Sequence, residues 1–354
     1  MKYYRNRNGK TLTNRNPLLP QRHGADLFVC DILDATPKGD MTSMEHPLFS
    51  LSTKADMKVR EYRNGDKWLT ITPSTYGLAT VHDRDVLIYC ISQCMSALNN
   101  GRSVTRTLEI DPWRFLQSTN RMKNAKGNDL LRDALRRLAG TRVETNITVS
   151  GEQSINNFGL IDAFNITSKT DTGRIRKLEI TLSDWIFDAI QAQQVLTMSP
   201  QYFQLRKPIE RRLYELARKH CGRQSKWEIG LDKLKLKTGS TSTDKEFKRL
   251  IQNILQDATL HDHIPEYSFT LEDGTMVVRP KSPFLNAERL PSLSPDTHEV
   301  ARRHAAGLDV YFLESEWRLW VAEKRLKLRN PDANFIKFCK THVKRLSETQ
   351  GSFL

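Results

Sequence analysis

Lys245, Lys248, Arg249 and Gln252 recur at helical spacing within residues 243–257, and each can hold a phosphate or a base edge. Phe247, Leu250, Ile251 and Ile254 fall on the opposite side, so a 3.6-residue repeat gives one apolar and one cationic face. Ammonium and guanidinium groups bind backbone phosphates or guanine, and a glutamine carboxamide pairs with adenine. Just upstream, Ser240, Thr241, Ser242 and Thr243 place short hydroxyl side chains at a helix start. There, unpaired amides and the positive end of the helix dipole favour an anion.

Lysines and arginines also decorate ordinary solvated helices, so the neighbouring elements decide. Residues 208–220 carry Ile209, Leu213, Leu216 and Ala217 on one face and predict a helix. A short strand over 227–229 follows, then a short helix over 231–236 that stops before Gly239. Two alternating runs, 267–271 and 276–279, flank the turn sequence Glu272-Asp273-Gly274-Thr275. Helix, strand, helix, helix, hairpin is the order of a winged helix, which puts its third helix into a DNA groove. Arg279 and Lys281 then stand where the hairpin wing would meet backbone phosphates.

A similar order lies upstream. A helix is expected over 80–98, with Val86, Leu87, Cys90, Ile91, Cys94 and Leu98 inward, and a strand over 104–110. Asp111-Pro112 combines an N-cap with proline at the first helical position. The next helix, 128–138, turns Leu130, Leu131, Ala134, Leu135 and Leu138 inward, and strands follow over 141–149, 157–167 and 174–182. Arg121, Lys123 and Lys126 precede that helix, while Arg132, Arg136 and Arg137 lie on its outer side. They form either a secondary DNA-binding surface or a basic surface beside a dimer interface.

The whole chain supports a polyanionic partner: 354 residues, a formal net charge of +14 and a sequence pI of about 9.6. Its 38% hydrophobic and 27% charged residues suit a globular protein. Cys30, Cys90, Cys94, Cys221 and Cys339 are odd in number and sit in apolar segments, which predicts reduced thiols in a cytoplasmic protein. No apolar run reaches the length of a membrane span, and the N-terminus reads as no signal peptide. The expected fold class is α+β: tandem winged-helix domains with a small C-terminal helical unit. Residues 1–24 form a flexible basic arm, 25–205 the first winged-helix domain with N-terminal strands, and 206–282 the second. A linker over 283–295 leads to the helical unit, 296–354. In that last unit Trp317, Trp320, Phe335 and Phe338 fall at helical spacing as a core or docking face, with Lys324, Arg325, Lys327 and Arg329 close by.

Catalysis has few candidates. No phosphate-binding glycine loop is present, and no acidic cluster for two-metal cleavage. His261-Asp262-His263 resembles the paired histidines of rolling-circle nicking enzymes, with Tyr202 as a nucleophile. Those motifs have a bulky apolar residue between the histidines, where this chain has aspartate. The expectation is therefore a protein without catalytic residues, metal or cofactor.

Long runs resemble the plasmid replication initiator protein A family. They include Gln21-Arg22-His23-Gly24-Ala25-Asp26-Leu27-Phe28, Asp40-Met41-Thr42-Ser43-Met44-Glu45-His46-Pro47 and Asp85-Val86-Leu87-Ile88-Tyr89-Cys90. The run from Leu205-Arg206-Lys207-Pro208-Ile209-Glu210-Arg211-Arg212 to Gly222 is closest. The resemblance implies a non-enzymatic initiator with tandem winged helices that binds double-stranded DNA at directly repeated origin sites, or iterons. It also implies duplex opening, recruitment of the host initiator and replicative helicase, a monomer–dimer equilibrium, and repression of its own gene. The alternatives are a winged-helix transcription repressor and the nicking endonuclease above.

Overall fold

The computed structural model describes residues 16–23, 37–99, 101–146, 155–168, 175–222, 224–281, 290–305 and 310–350. Residues 25–36, the start of the expected first domain, lie outside them, as do most of the basic arm and residues 283–289 of the linker.

The chain enters through β1 (Lys38–Asp40) and α1 (Met41–Glu45), capped by the Asp40 carboxylate. A hairpin follows, β2 (Arg60–Asn64) and β3 (Lys67–Thr72), turning at Gly65 with φ +61°. Residues 49–52 make a single bridge, from Ser50 to Thr80, and no strand. Then comes α2 (Arg84–Asn99), buried on every side from Arg84 to Ala97.

From α2 the order is β4 (Thr107–Ile110), α3 (Pro112–Ser118) and α4 (Ala125–Gly140). Asp111 accepts from the amides of Trp113 and Arg114, as its place before Pro112 predicts. The α4 helix starts earlier than its apolar stripe, capped by Asn124. Gly127 is required there, because a Cβ would lie 1.8 Å from the Met122 carbonyl oxygen. Leu131, Ala134, Leu135 and Leu138 form the buried stripe; Leu130 falls off it and is 46% exposed, against expectation.

β5 (Arg142–Thr145) and β6 (Asn156–Gly159) then detour to the first hairpin, giving a sheet of order β2-β3-β5-β6. The strand expected over 157–167 breaks at Leu160 and changes sheet. Its second half is β7 (Ile161–Ser168), which pairs with β8 (Ile175–Leu182), and β8 pairs with β4. The strand order is β4-β8-β7.

α5 (Asp184–Gln191), β9 (Val195–Thr197, paired with β1) and a 3-10 turn (Pro200–Gln204) lead to the second unit. It contains α6 (Pro208–His220), β10 (Trp227–Gly230), α7 (Leu231–Thr238), α8 (Asp244–His261), β11 (Tyr267–Glu272) and β12 (Thr275–Pro280). Its strand order is β10-β12-β11. Both units thus run helix, strand, helix, helix, hairpin, and in both the opening strand joins the last one.

One apolar core runs through both units, from Leu48 to Val278. A separate core holds α9 (Pro295–Arg302), α10 (Val310–Glu323) and α11 (Pro331–Gln350). There Trp317 and Phe335 are buried, and the indole N–H of Trp317 donates to Asn334 at 2.7 Å. Trp320 stays partly exposed beside Phe338, and Lys324, Arg325, Lys327 and Arg329 are exposed.

Candidate nucleic-acid interface

The α7–α8 turn sets the site. Gly239 ends α7 with φ +75°, a conformation costly for other residues. A Cβ there would also lie 2.9 Å from Pro47 and 3.1 Å from the Tyr62 hydroxyl, so the turn packs against the first unit's hairpin. Ser240, Thr241 and Ser242 line a cleft with Pro47, Leu48 and Leu250, and the Ser240 and Ser242 hydroxyls are 3.0 Å apart.

The start of α8 is occupied by its own side chains. Thr243 Oγ1 accepts from the Glu246 amide at 3.3 Å, and the Glu246 carboxylate accepts from the Thr243 amide at 3.2 Å. The Thr243 amide, and its hydroxyl donating at 3.0 Å, hold the exposed Glu246 carboxyl below its ordinary range. This capping box gives Thr243 a structural task, where its residue type alone suggested a phosphate ligand. Phe247, Ile251 and Ile254 are buried, leaving Lys245, Lys248, Arg249 and Gln252 exposed together on the outer face. Nearby carboxylates are engaged elsewhere: Asp244 with Lys235 at 2.6 Å and Asp257 with Lys207 at 2.6 Å. On the hairpin, Arg279 is half-exposed and 3.4 Å from Glu272. Lys281 is turned back onto the α8–β11 connection, donating to the Ile264 carbonyl at 2.7 Å and pairing with Asp262 at 2.6 Å.

The first unit uses its cations differently. Arg132 pairs with Asp129 at 2.9 Å, and Arg136 with Asp133 at 3.2 Å while lying over the Tyr76 ring. Lys123 donates to Gln117 at 2.7 Å and lies 4.3 Å from the Trp113 ring centroid. Lys126 is exposed. Two residues read as outward-facing turn inward. Arg121 pairs with buried Asp85 at 3.1 Å, donates to the His82 carbonyl and stacks on Phe115. Arg137 makes a bidentate contact with Asp83 at 2.7 and 2.8 Å.

Arg121, through Asp85, belongs to a buried charge network between the units, and the Arg137–Asp83 pair stands beside it. Arg84 of α2 lies 2.6 Å from Glu215 of α6, and Arg211 of α6 donates to Asp85 of α2 at 2.7 Å. Arg212 pairs with Glu215 at 3.0 Å and donates to the Ser43, Met44 and Lys237 carbonyls. Burial raises the Glu215 carboxyl pKa, and the Arg84 and Arg212 guanidiniums more than reverse that, leaving it lowered. The signal was available in α6: Arg212 lies three residues after Ile209 and four before Leu216, inside the apolar stripe, where a lone charge would be costly.

The nicking constellation is not assembled. Tyr202 is fully buried, donates to Glu215 at 2.6 Å, and has its phenol pKa pushed well up by burial. His263 is buried 3.3 Å from Glu210, and its ring centre lies 6.4 Å from that of His261. Among the described residues no group of three or more His, Cys, Asp or Glu side chains is placed to hold a metal. No helix described is long and apolar enough to cross a membrane.

The chain is similar to known proteins. A protein of Wigglesworthia glossinidia brevipalpis named "Putative replication protein" is 38% identical over 247 residues, which is 69% of this chain and 90% of that protein. Crystal structures of domains 2 and 3 of RctB are similar at TM-scores of 0.49 and 0.46, with 11% and 13% identity. Each covers 66% of this chain, and the matches span 94% and 95% of those chains. The family model for replication initiator protein A matches residues 38–269, a span that takes in α2, α4, α6 and α8. On that match and that identity, the chain belongs to the replication initiator protein A family.

Proposed function

We propose that the chain is a non-enzymatic plasmid replication initiator whose two units are tandem winged helices. The second unit places α8 in a major groove of a directly repeated origin site. The first contacts the adjacent turn of the duplex, mainly through phosphates. The observation that carries this reading is the exposed row Lys245, Lys248, Arg249 and Gln252, backed by a three-stranded sheet in a family member. Several copies bound in phase would bend the DNA and favour opening of a nearby AT-rich segment, where pyrimidine–purine steps deform most readily. Recruitment of the host initiator and replicative helicase, action in the cytoplasm, and repression by a dimer complete the reading.

Footprinting on DNA flanking the gene tests it: evenly spaced protected direct repeats are expected, and unpatterned protection would overturn it. A repressor with no part in replication would give a footprint too. Maintenance of a plasmid that lacks any other origin, by this gene with its flanking repeats, separates the two.

A further inference from the structure

The segment His82-Asp83-Arg84-Asp85 joins both candidate DNA helices through charge. On one side Asp83 holds Arg137 of α4 at 2.7 Å. On the other, Arg84 reaches Glu215 at 2.6 Å and Asp85 accepts from Arg211 at 2.7 Å. Glu215 holds Arg212, which donates to the Lys237 carbonyl at 2.8 Å, at the turn leading into α8. Arg84, Asp85, Arg211, Arg212 and Glu215 are each nearly or wholly removed from solvent.

Buried pairs contribute little net stability compared with apolar side chains of the same shape, yet they have strict geometric needs. Arg211 alone donates to Asp85 and to the Leu205 and Phe203 carbonyls. An apolar contact slides at small cost; a forked guanidinium between fixed acceptors does not. We infer that this bridge is a ruler: Asp85, Arg211, Arg84 and Glu215 are positioning residues that fix α4 relative to α8 and so set the base-pair spacing that the protein accepts between its two contact tracts. The inference rests on the reading that both helices contact DNA.

The test uses the full chain and duplexes carrying the footprinted repeat, with no, one, two or five base pairs inserted between its two protected tracts. Each added pair shifts the second tract by about 3.4 Å and turns it by about 35°. The unaltered chain is expected to lose roughly tenfold or more in affinity at two added pairs, because one helix can no longer engage. A double variant, Arg211→Met with Asp85→Leu, removes one bridging pair whole. It is expected to bind the uninserted site less tightly and to lose less than roughly threefold at two added pairs. Arg211→Lys, which keeps the charge but not the fork, should lose part of the discrimination, between the unaltered chain and the double variant. Should the double variant not fold, Asp85→Asn is read in the same way.

A variant that discriminates spacers as sharply as the unaltered chain, or weakens on all of them by one factor while its Tm falls, overturns the ruler. An unaltered chain indifferent to the spacer overturns instead the reading that both helices touch DNA.

Discussion

In the first unit the guanidinium groups of α4 face carboxylates: Arg132 faces Asp129, Arg136 faces Asp133 and Arg137 faces Asp83. In the second, the carboxylates of α8 are drawn aside by Thr243, Lys235 and Lys207, and Lys245, Lys248 and Arg249 stand exposed. A charge count points the other way. The α4 helix has Lys126 and three arginines against two aspartates, whereas α8 has three cations against Asp244, Glu246 and Asp257. Placement outweighs the count, because an arginine already held by a carboxylate must give up that contact before it binds a phosphate. A cation that faces water gives up only solvent and counterions.

The largest expected effect follows directly. Replacing Lys245, Lys248 and Arg249 together with alanine should weaken origin binding roughly a hundredfold, about 2.7 kcal/mol, and flatten its salt slope by about two to three. The same treatment of Lys126, Arg132 and Arg136 should cost less, roughly tenfold. Salt titrations of gel-shift affinity measure both, and equal losses would erase the contrast between the units. Arg137→Ala should act in the opposite currency. It strips the partner from buried Asp83 and should lower unfolding free energy by about 2 kcal/mol in urea, with the salt slope unchanged. A reduced slope there would make Arg137 a DNA contact after all.

Much of this arrangement was legible in the residues. Asp111-Pro112, Gly239 and Asp273-Gly274 mark element ends by local backbone chemistry, which needs no knowledge of distant neighbours. The apolar period of α8 likewise fixes which side faces out, because Phe247, Ile251 and Ile254 must be covered. The destinations of charged side chains were not legible in the same way. Arg121, Arg137 and Lys281 read as outward because their partners, Asp85, Asp83 and the Ile264 carbonyl, lie elsewhere in the chain. Nothing in a local window distinguishes an arginine bound for a phosphate from one bound for a buried aspartate. The clue lies in the partner: acids inside an apolar helix, such as Asp85 in α2 and Glu215 in α6, require cations from somewhere.

The helix starts sharpen the comparison at smaller scale. α4 is capped by Asn124, which accepts from the Gly127 amide at 3.0 Å, while α8 has the reciprocal Thr243–Glu246 box. Thr243→Ala should cost about 1 kcal/mol in thermal or urea unfolding. It should also weaken DNA binding slightly by loosening the turn that holds Lys245, whereas Asn124→Ala should lower stability alone.

The smallest effect separates the two starts by pH. Glu246 has its folded pKa below the ordinary 4.5, so its capping contribution is present above that value and fades as pH falls through the lowered one. The Asn124 cap has no titrating group. As pH falls below 4.5 and through that lowered value, the amides of the first turn of α8 should therefore lose exchange protection while those of α4 keep theirs. In Thr243→Ala the Glu246 carboxyl keeps the residue 243 amide but loses the hydroxyl donor, and its titration midpoint, followed by carboxyl NMR shifts, should move part of the way up toward 4.5. If that midpoint stays put, the residue 243 amide alone holds the carboxylate, and the hydroxyl acts only as the N-cap acceptor for the Glu246 amide.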